Sequence, residues 1–180
     1  LMHVLGNAQQ QDVWLSSVIN GERRLALALE ERPRHSPQCV NLTAQADGDG
    51  YVLDGHKYFV VDGVGADAYL VAARTAHTSI PEQGISLFLV PANAPGLTVS
   101  ALPLIDSRNH AQVRLEQVRL GADALLGDRG TAWPALNTAK QATEDIAKQA
   151  ARLLIGGLRR DAYDDNPTPL HNQGFVPQLV

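Results

Sequence analysis

Two periodicities divide the chain. Between Val40 and Leu120 apolar residues come in short runs, several with period two, broken by Gly, Pro, Asn and Asp. Such punctuation predicts β-strands joined by turns. The predicted strands are 40–46, 51–53, 57–61, 69–73, 85–90, 97–104 and 113–120. In the last of these Val113, Leu115, Val118 and Leu120 alternate with polar residues except at the Glu116-Gln117 pair, where a β-bulge is expected. The DGDG turn at 47–50 and the alternation after it predict that 57–61 pairs antiparallel with 51–53, and that 66–73 is a strand.

Helical spacing marks the two ends of the chain. Asn7 is placed to cap a short helix, with Gln10 three residues on and Asn20-Gly21 as its stop; Trp14, Leu15, Val18 and Ile19 would form its apolar stripe. From Ala132 to Arg160 a second helix is predicted, with Leu136, Ala139, Thr143, Ile146, Ala150, Leu153, Gly157 and Leu158 along one face. It would run about eight turns. A one-faced helix of that length needs other helices to cover it, so the chain is expected to self-associate through this helix or else to fray there. Between the first helix and the first of these strands, "RLALALEERPRHSPQ" opens with alternating Leu and Ala and breaks into a charged, Pro-bearing loop. The reading divides the chain into 1–20, a helical remnant; 21–127, a β-domain; 128–165, the long helix; and 166–180, an irregular tail.

Composition narrows the classes. The chain has 180 residues, 44% hydrophobic, with a net charge of -4 and no dense Lys/Arg cluster, which argues against a nucleic-acid face. Cys39 is the sole cysteine, so no intrachain disulfide can form, and a cytoplasmic location is expected. The longest apolar runs, such as "ISLFLV", are far below the ~20 residues of a membrane span. The first residue is Leu rather than Met, so an excerpt of a longer chain is expected.

The only fingerprint of a cofactor site is Gly63-Val-Gly65-Ala-Asp-Ala68, which fits G-x-G-x-x-A, with Glu82 near the spacing of a ribose-binding acid. A nicotinamide dinucleotide-binding enzyme is therefore one alternative. Against it, Tyr69, Leu70 and Val71 are apolar side by side, which suits a buried strand, and no later strand alternates with a helix. The six histidines are scattered, no metal-ligand spacing occurs, and no nucleophile elbow is present, so no metal site and no catalytic residue can be assigned.

Taken in order, "GNAQQQDVWLSSVINGERRLALALEE", "ADGDGYVLDGHKYFVVDGVGADAYLVAART", "GISLFLVPANAPGL" and "AQVRLEQVRLGADALLGDRG" resemble the part of acyl-CoA dehydrogenases around their middle β-domain. The resemblance spans Gly6 to Arg160. It implies an α+β, mainly β fold: an antiparallel β-barrel or sandwich flanked by a short helix and one long helix. It also implies FAD as cofactor and an acyl-CoA thioester as substrate. In the family a glutamate takes the α-proton while a hydride passes from the β-carbon to the flavin. That glutamate is expected beyond this chain. Glu144, on the long helix, is expected to pair with Lys148 instead.

The family's two flavin-contacting stretches map onto Leu29–Ser36 and Phe59–Val61. The first typically reads Thr-Glu-Pro-Gly-Ala-Gly-Ser-Asp. Here Glu30 stands at the Thr, Glu31 matches the Glu, Arg32-Pro33-Arg34-His35 replace Pro-Gly-Ala-Gly, Ser36 matches the Ser, and Pro37 replaces the Asp. The second typically reads Trp-Ile-Thr, against Phe59, Val60 and Val61. The implied cofactor-binding residues are thus Leu29, Glu30, Ser36, Phe59, Val60 and Val61, with Ser36 also toward substrate. Losing glycines removes close backbone approach, and Val61 has no hydroxyl to offer the flavin. A carboxylate at Glu30 would repel charge on a reduced flavin. Arg32, Arg34 and His35 read as solvated loop charges, or Arg34 as a pyrophosphate partner. The expectation is a truncated or degenerate family member that binds FAD weakly and is inactive alone. The alternative is a non-catalytic partner subunit in a homo- or hetero-oligomer.

Overall fold

The computed structural model describes residues 1–104 and 109–161, without the side chains at 147 and 150–161 of the long helix. The chain divides into two compact units, 1–137 and 138–180.

In the first unit, α1 (Met2–Leu5) precedes a helical segment made of α2 (Ala8–Gln10), one π-turn (Gln11–Leu15) and α3 (Ser16–Ile19). The capping box forms as the sequence predicts. Gln10 N donates to Asn7 Oδ1 at 2.9 Å, and Asn7 N donates to Gln10 Oε1 at 2.8 Å. The other end of the same side chain anchors the segment: Gln10 Nε2 donates to Asp123 O and Leu125 O. Asn20 caps the end of α3, and Gly21 follows at φ 75°. The expected stripe is only half right. Trp14 and Leu15 pack on the core, whereas Ile19 is 74% exposed.

Among the described residues eight strands follow: β1 (Leu25–Ala28), β2 (Thr43–Asp47), β3 (Gly50–Val61), β4 (Ala68–Arg74), β5 (Ile85–Pro91), β6 (Leu97–Leu102), β7 (His110–Leu120) and β8 (Leu125–Leu126). Their order is β6-β7-β3-β2-β4-β5-β8, with β1 added parallel to β4. Only one residue pair, Thr43 with Arg74, joins β2 to β4. The sheet therefore bends there into two halves, β6-β7-β3-β2 and β1-β4-β5-β8. Leu53, Val113 and Leu115 from the first half share a core with Tyr69, Val71, Phe88 and Val90 from the second, and Tyr51 meets Phe88 edge-on at 4.9 Å. Of the two expected forms this is the sandwich; the path is open at β6 and β8 and does not close into a barrel.

The β4–β5 pair is apolar on both faces because both are covered. Leu70, Ile85, Leu87 and Leu89 face a second cluster with Met2, Leu126 and Leu136, beneath the N-terminal helices. Its full-width apolar run explains why "AYLVAA" forms a strand rather than the helix a dinucleotide fold requires. The nicotinamide reading loses its helix: Gly63 to Asp67 is a turn, and Tyr69 Oη donates to Gly63 O at 2.7 Å.

One strand pairing is corrected. Residues 51–53 and 57–61 do not form a hairpin; they belong to the single strand β3. The turn at Gly48-Asp49 joins β2 to β3 instead, pairing Asp47 with Gly50 and Thr43 with Asp54, while Lys57, Val60 and Val61 pair with β7. Gly55 bends the strand without reversing it: it sits at φ 141° against Leu42, where a Cβ would come within 2.9 Å of Leu42 Cγ. The expected bulge is present. Glu116 and Gln117 lie opposite Asp54 alone, with Gln117 at φ 51°.

A helix, α4, runs Trp133–Asp161 and matches the predicted span. In the second unit Glu144 pairs with Lys140 at 3.5 Å as well as with Lys148 at 4.0 Å. Ile146 is 68% exposed. The side chains of the stripe positions Ala150, Leu153, Gly157 and Leu158, and the whole tail 166–180, lie outside the described residues.

Candidate functional site

The two stretches that the resemblance implies for the flavin, 29–36 and 59–61, lie beside one another. The chain leaves β1 at Ala28, and Glu30 O accepts the Tyr58 N–H of β3 at 2.7 Å. That N–H is free because β3 bulges there: Lys57 pairs with Val113 and Val60 with Ala111, leaving Tyr58 and Phe59 opposite one residue. Phe59 takes φ 50°, a left-handed conformation that bulky side chains rarely adopt. The bulge also resets the alternation. Val60 turns into the core at 1% exposure, while Val61 faces out at 42%. Phe59 is half-buried, and its ring lies 6.4 Å from that of Tyr58.

Beneath this surface lies an ion pair. Lys57 Nζ is 2.7 Å from Glu31 Oε1, and it also donates to Leu29 O at 3.2 Å. Lys57 is fully buried and Glu31 nearly so. Glu31 is satisfied by backbone as well: Oε2 accepts from Asn41 N at 2.7 Å and Oε1 from Leu42 N at 2.9 Å. Burial pulls the Lys57 ammonium down from 10.5 to about 8, with Glu31 and Glu30 holding it up and Arg74 pushing the same way as burial. Sequence reasoning aligned Glu31 but missed that Lys57 is buried. The signal was there: Leu53, Gly55 and Lys57 share one parity on β3, and that parity faces inward at Leu53.

The loop after Glu31 closes on itself. Glu30 Oε1 pairs with His35 Nδ1 at 2.7 Å, and Glu30 Oε2 accepts from Ser36 N at 3.1 Å. Ser36 Oγ donates to Arg34 O at 3.1 Å. Arg32, Arg34 and His35 are exposed. Leu29 is half-buried against the helical side of the core. Beside the loop a cavity of about 290 Å³ is lined by Arg32, Cys39, Arg74 and His77 among others. The Arg74 guanidinium is already committed to the carbonyls of Val40, Pro81 and Gln83. Among the described residues no group of His, Cys, Asp and Glu could hold a metal ion, and no helix is long and apolar enough to cross a membrane.

The comparisons with known proteins agree on one family. A model of the acyl-CoA dehydrogenase middle domain matches residues 27–118. The chain is 33% identical to the mitochondrial short-chain specific acyl-CoA dehydrogenase of Mus musculus, over 94% of this chain and 44% of that one. It is 28% identical to FadE2, a probable acyl-CoA dehydrogenase of Mycobacterium tuberculosis, over 100% of this chain and 48% of the relative. A solved glutaryl-CoA dehydrogenase from Mycobacterium smegmatis, in complex with FADH2, is similar with a TM-score of 0.66 and 28% identity; the match covers 74% of this chain and 34% of that one. The chain thus spans less than half the length of the curated relatives it matches.

Proposed function

The chain belongs to the acyl-CoA dehydrogenase family, and on that footing we propose that it supplies the β-sandwich wall of a site for FAD-dependent α,β-dehydrogenation of an acyl-CoA thioester. The observation that carries the reading is the contact between Glu30 and Tyr58, which brings the two stretches the family uses at its flavin onto one surface.

The residues present fit a flavin by packing more than by hydrogen bonding. Phe59 and the exposed Val61 offer an apolar face to a flat ring. The Glu30 carboxylate, which would repel a reduced flavin, is turned onto His35 and the Ser36 N–H. Those same bonds use up Ser36 N, and Val61 supplies no hydroxyl. The chemistry such a cofactor supplies when bound is acceptance of the hydride from the β-carbon. This chain's residues contribute the surface. Leu29 and Glu30 hold the loop against β3, and Phe59 and Val61 exclude water from the ring. The cavity bordered by Arg32 and His77 sets basic groups beside the loop for an anionic acyl carrier. Glu144, held between Lys140 and Lys148, is not assigned as the base. Titrating the chain with FAD, followed by quenching of flavin fluorescence, tests the reading; saturable but weak binding is expected.

A second reading has one observation in its favour. Ile146 lies 68% exposed on α4, as on a helix that another subunit covers. On that reading the chain is a partner subunit that keeps the β-domain for assembly with a competent homologue.

A further inference from the structure

We infer that Lys57 and Glu31 are positioning residues that fix the two cofactor-facing stretches, 29–36 and 59–61, in one arrangement. This rests on the proposal that those stretches form the flavin wall. Neither side chain touches a ligand surface, since their exposures are 0% and 6%. They act through backbone. Lys57 Nζ grips Leu29 O at the start of the first stretch. Glu31 takes the N–H groups of Asn41 and Leu42 ten residues further on. One carboxylate therefore closes both ends of the 31–42 loop and ties it to β3 by the lysine. Next to Lys57, Tyr58 N reaches Glu30 O, the bond that places the bulge against the loop. Phe59, at φ 50°, stays in a conformation it would leave if unconstrained. An ion pair kept only for stability could be exchanged for two apolar side chains at little cost. Apolar side chains could not make the three backbone anchors.

That difference defines the test. The full 180-residue chain carrying Lys57→Met with Glu31→Leu is compared with wild type by amide hydrogen exchange and by FAD titration. The informative amides are Tyr58 and Ser36, whose acceptors, Glu30 O and Glu30 Oε2, both survive the substitutions. Their exchange should quicken at least tenfold, with Val71 and Phe88 in the core unchanged, and FAD affinity should fall at least tenfold. Protection at Tyr58 and Ser36 equal to wild type overturns the inference. So does a uniform loss at all four amides, which would make the pair purely structural. If wild type takes up no FAD, the functional proposal fails, yet the exchange result still decides the positioning role. Should the double variant not fold, Glu31→Gln, which keeps the shape and one acceptor, is read at the same two amides. Wild-type protection there would again overturn it.

Discussion

Lys57 Nζ stands 2.7 Å from Glu31 Oε1 with both side chains withdrawn from water. A buried pair of this kind balances large desolvation costs against an attraction strengthened by low polarity, so removing one partner costs more than removing both. Lys57→Met alone strands a carboxylate that keeps only two backbone donors. The expected loss is roughly 3–5 kcal/mol in urea unfolding. A loss below about 1 kcal/mol would mean that the pair is open to solvent.

The same lysine sets a pH dependence. Its folded value, about 8, lies below the 10.5 of the unfolded chain. Between those values the unfolded chain binds more protons, so stability rises with pH across the window. The gain from pH 8 to 10 is on the order of 2 kcal/mol. Near and above pH 10 the effect is opposed, because burial raises Tyr69 and its phenol ionises first in the unfolded chain. Thermal melts of wild type beside Lys57→Met should show this rise only in wild type. Parallel curves would contradict it.

Gly55 offers a check on how β3 is built. It takes φ 141°, and an added Cβ would press on Leu42, whose N–H Glu31 holds. Gly55→Ala should therefore cost about 2 kcal/mol or more, from backbone strain plus overpacking. A near-neutral result by denaturant titration would place this glycine in a loose turn, as the hairpin reading supposed.

The α4 helix bears on assembly. Ile146 is exposed while Leu136, at the start of the expected stripe, is buried, and covering one such side chain is worth roughly 1.5–3 kcal/mol before association costs. Self-association through this face is expected in sedimentation, and Ile146→Glu should shift the chain toward monomer. A monomeric wild type with a protected helix at 138–150 would refute it.

Much of this fold is legible in the sequence because most of it rests on local signals. The capping box at Asn7 and Gln10, the bulge at Glu116-Gln117 and the apolar run at Tyr69–Val71 each announce themselves within a few residues. The β3 pairing does not. Asp54-Gly55 has the composition of a hairpin turn, and only β7, more than fifty residues away, makes the straight strand the better solution. The site was half legible for the same reason. Residue order assigned it two stretches, 29–36 and 59–61, through the resemblance alone. The parity of Leu53, Gly55 and Lys57 carried a local signal for the burial of Lys57, but the bulge at Tyr58–Phe59 follows from contacts with β7 and the β1 exit that no short window contains.

On the proposed function, Glu30 and Val61 would face the flavin and grip it poorly. Fluorescence-monitored FAD titration of wild type beside the Glu30→Thr, Val61→Thr double variant tests it most directly. The double variant loses the carboxylate that holds His35 and Ser36 N, and it gains a hydroxyl on the exposed end of β3. Saturable wild-type binding weaker than about 1 μM is expected, with binding at least tenfold tighter in the variant, or ~1.4 kcal/mol. Equal affinities in the two proteins, or sub-micromolar binding by wild type, would contradict it.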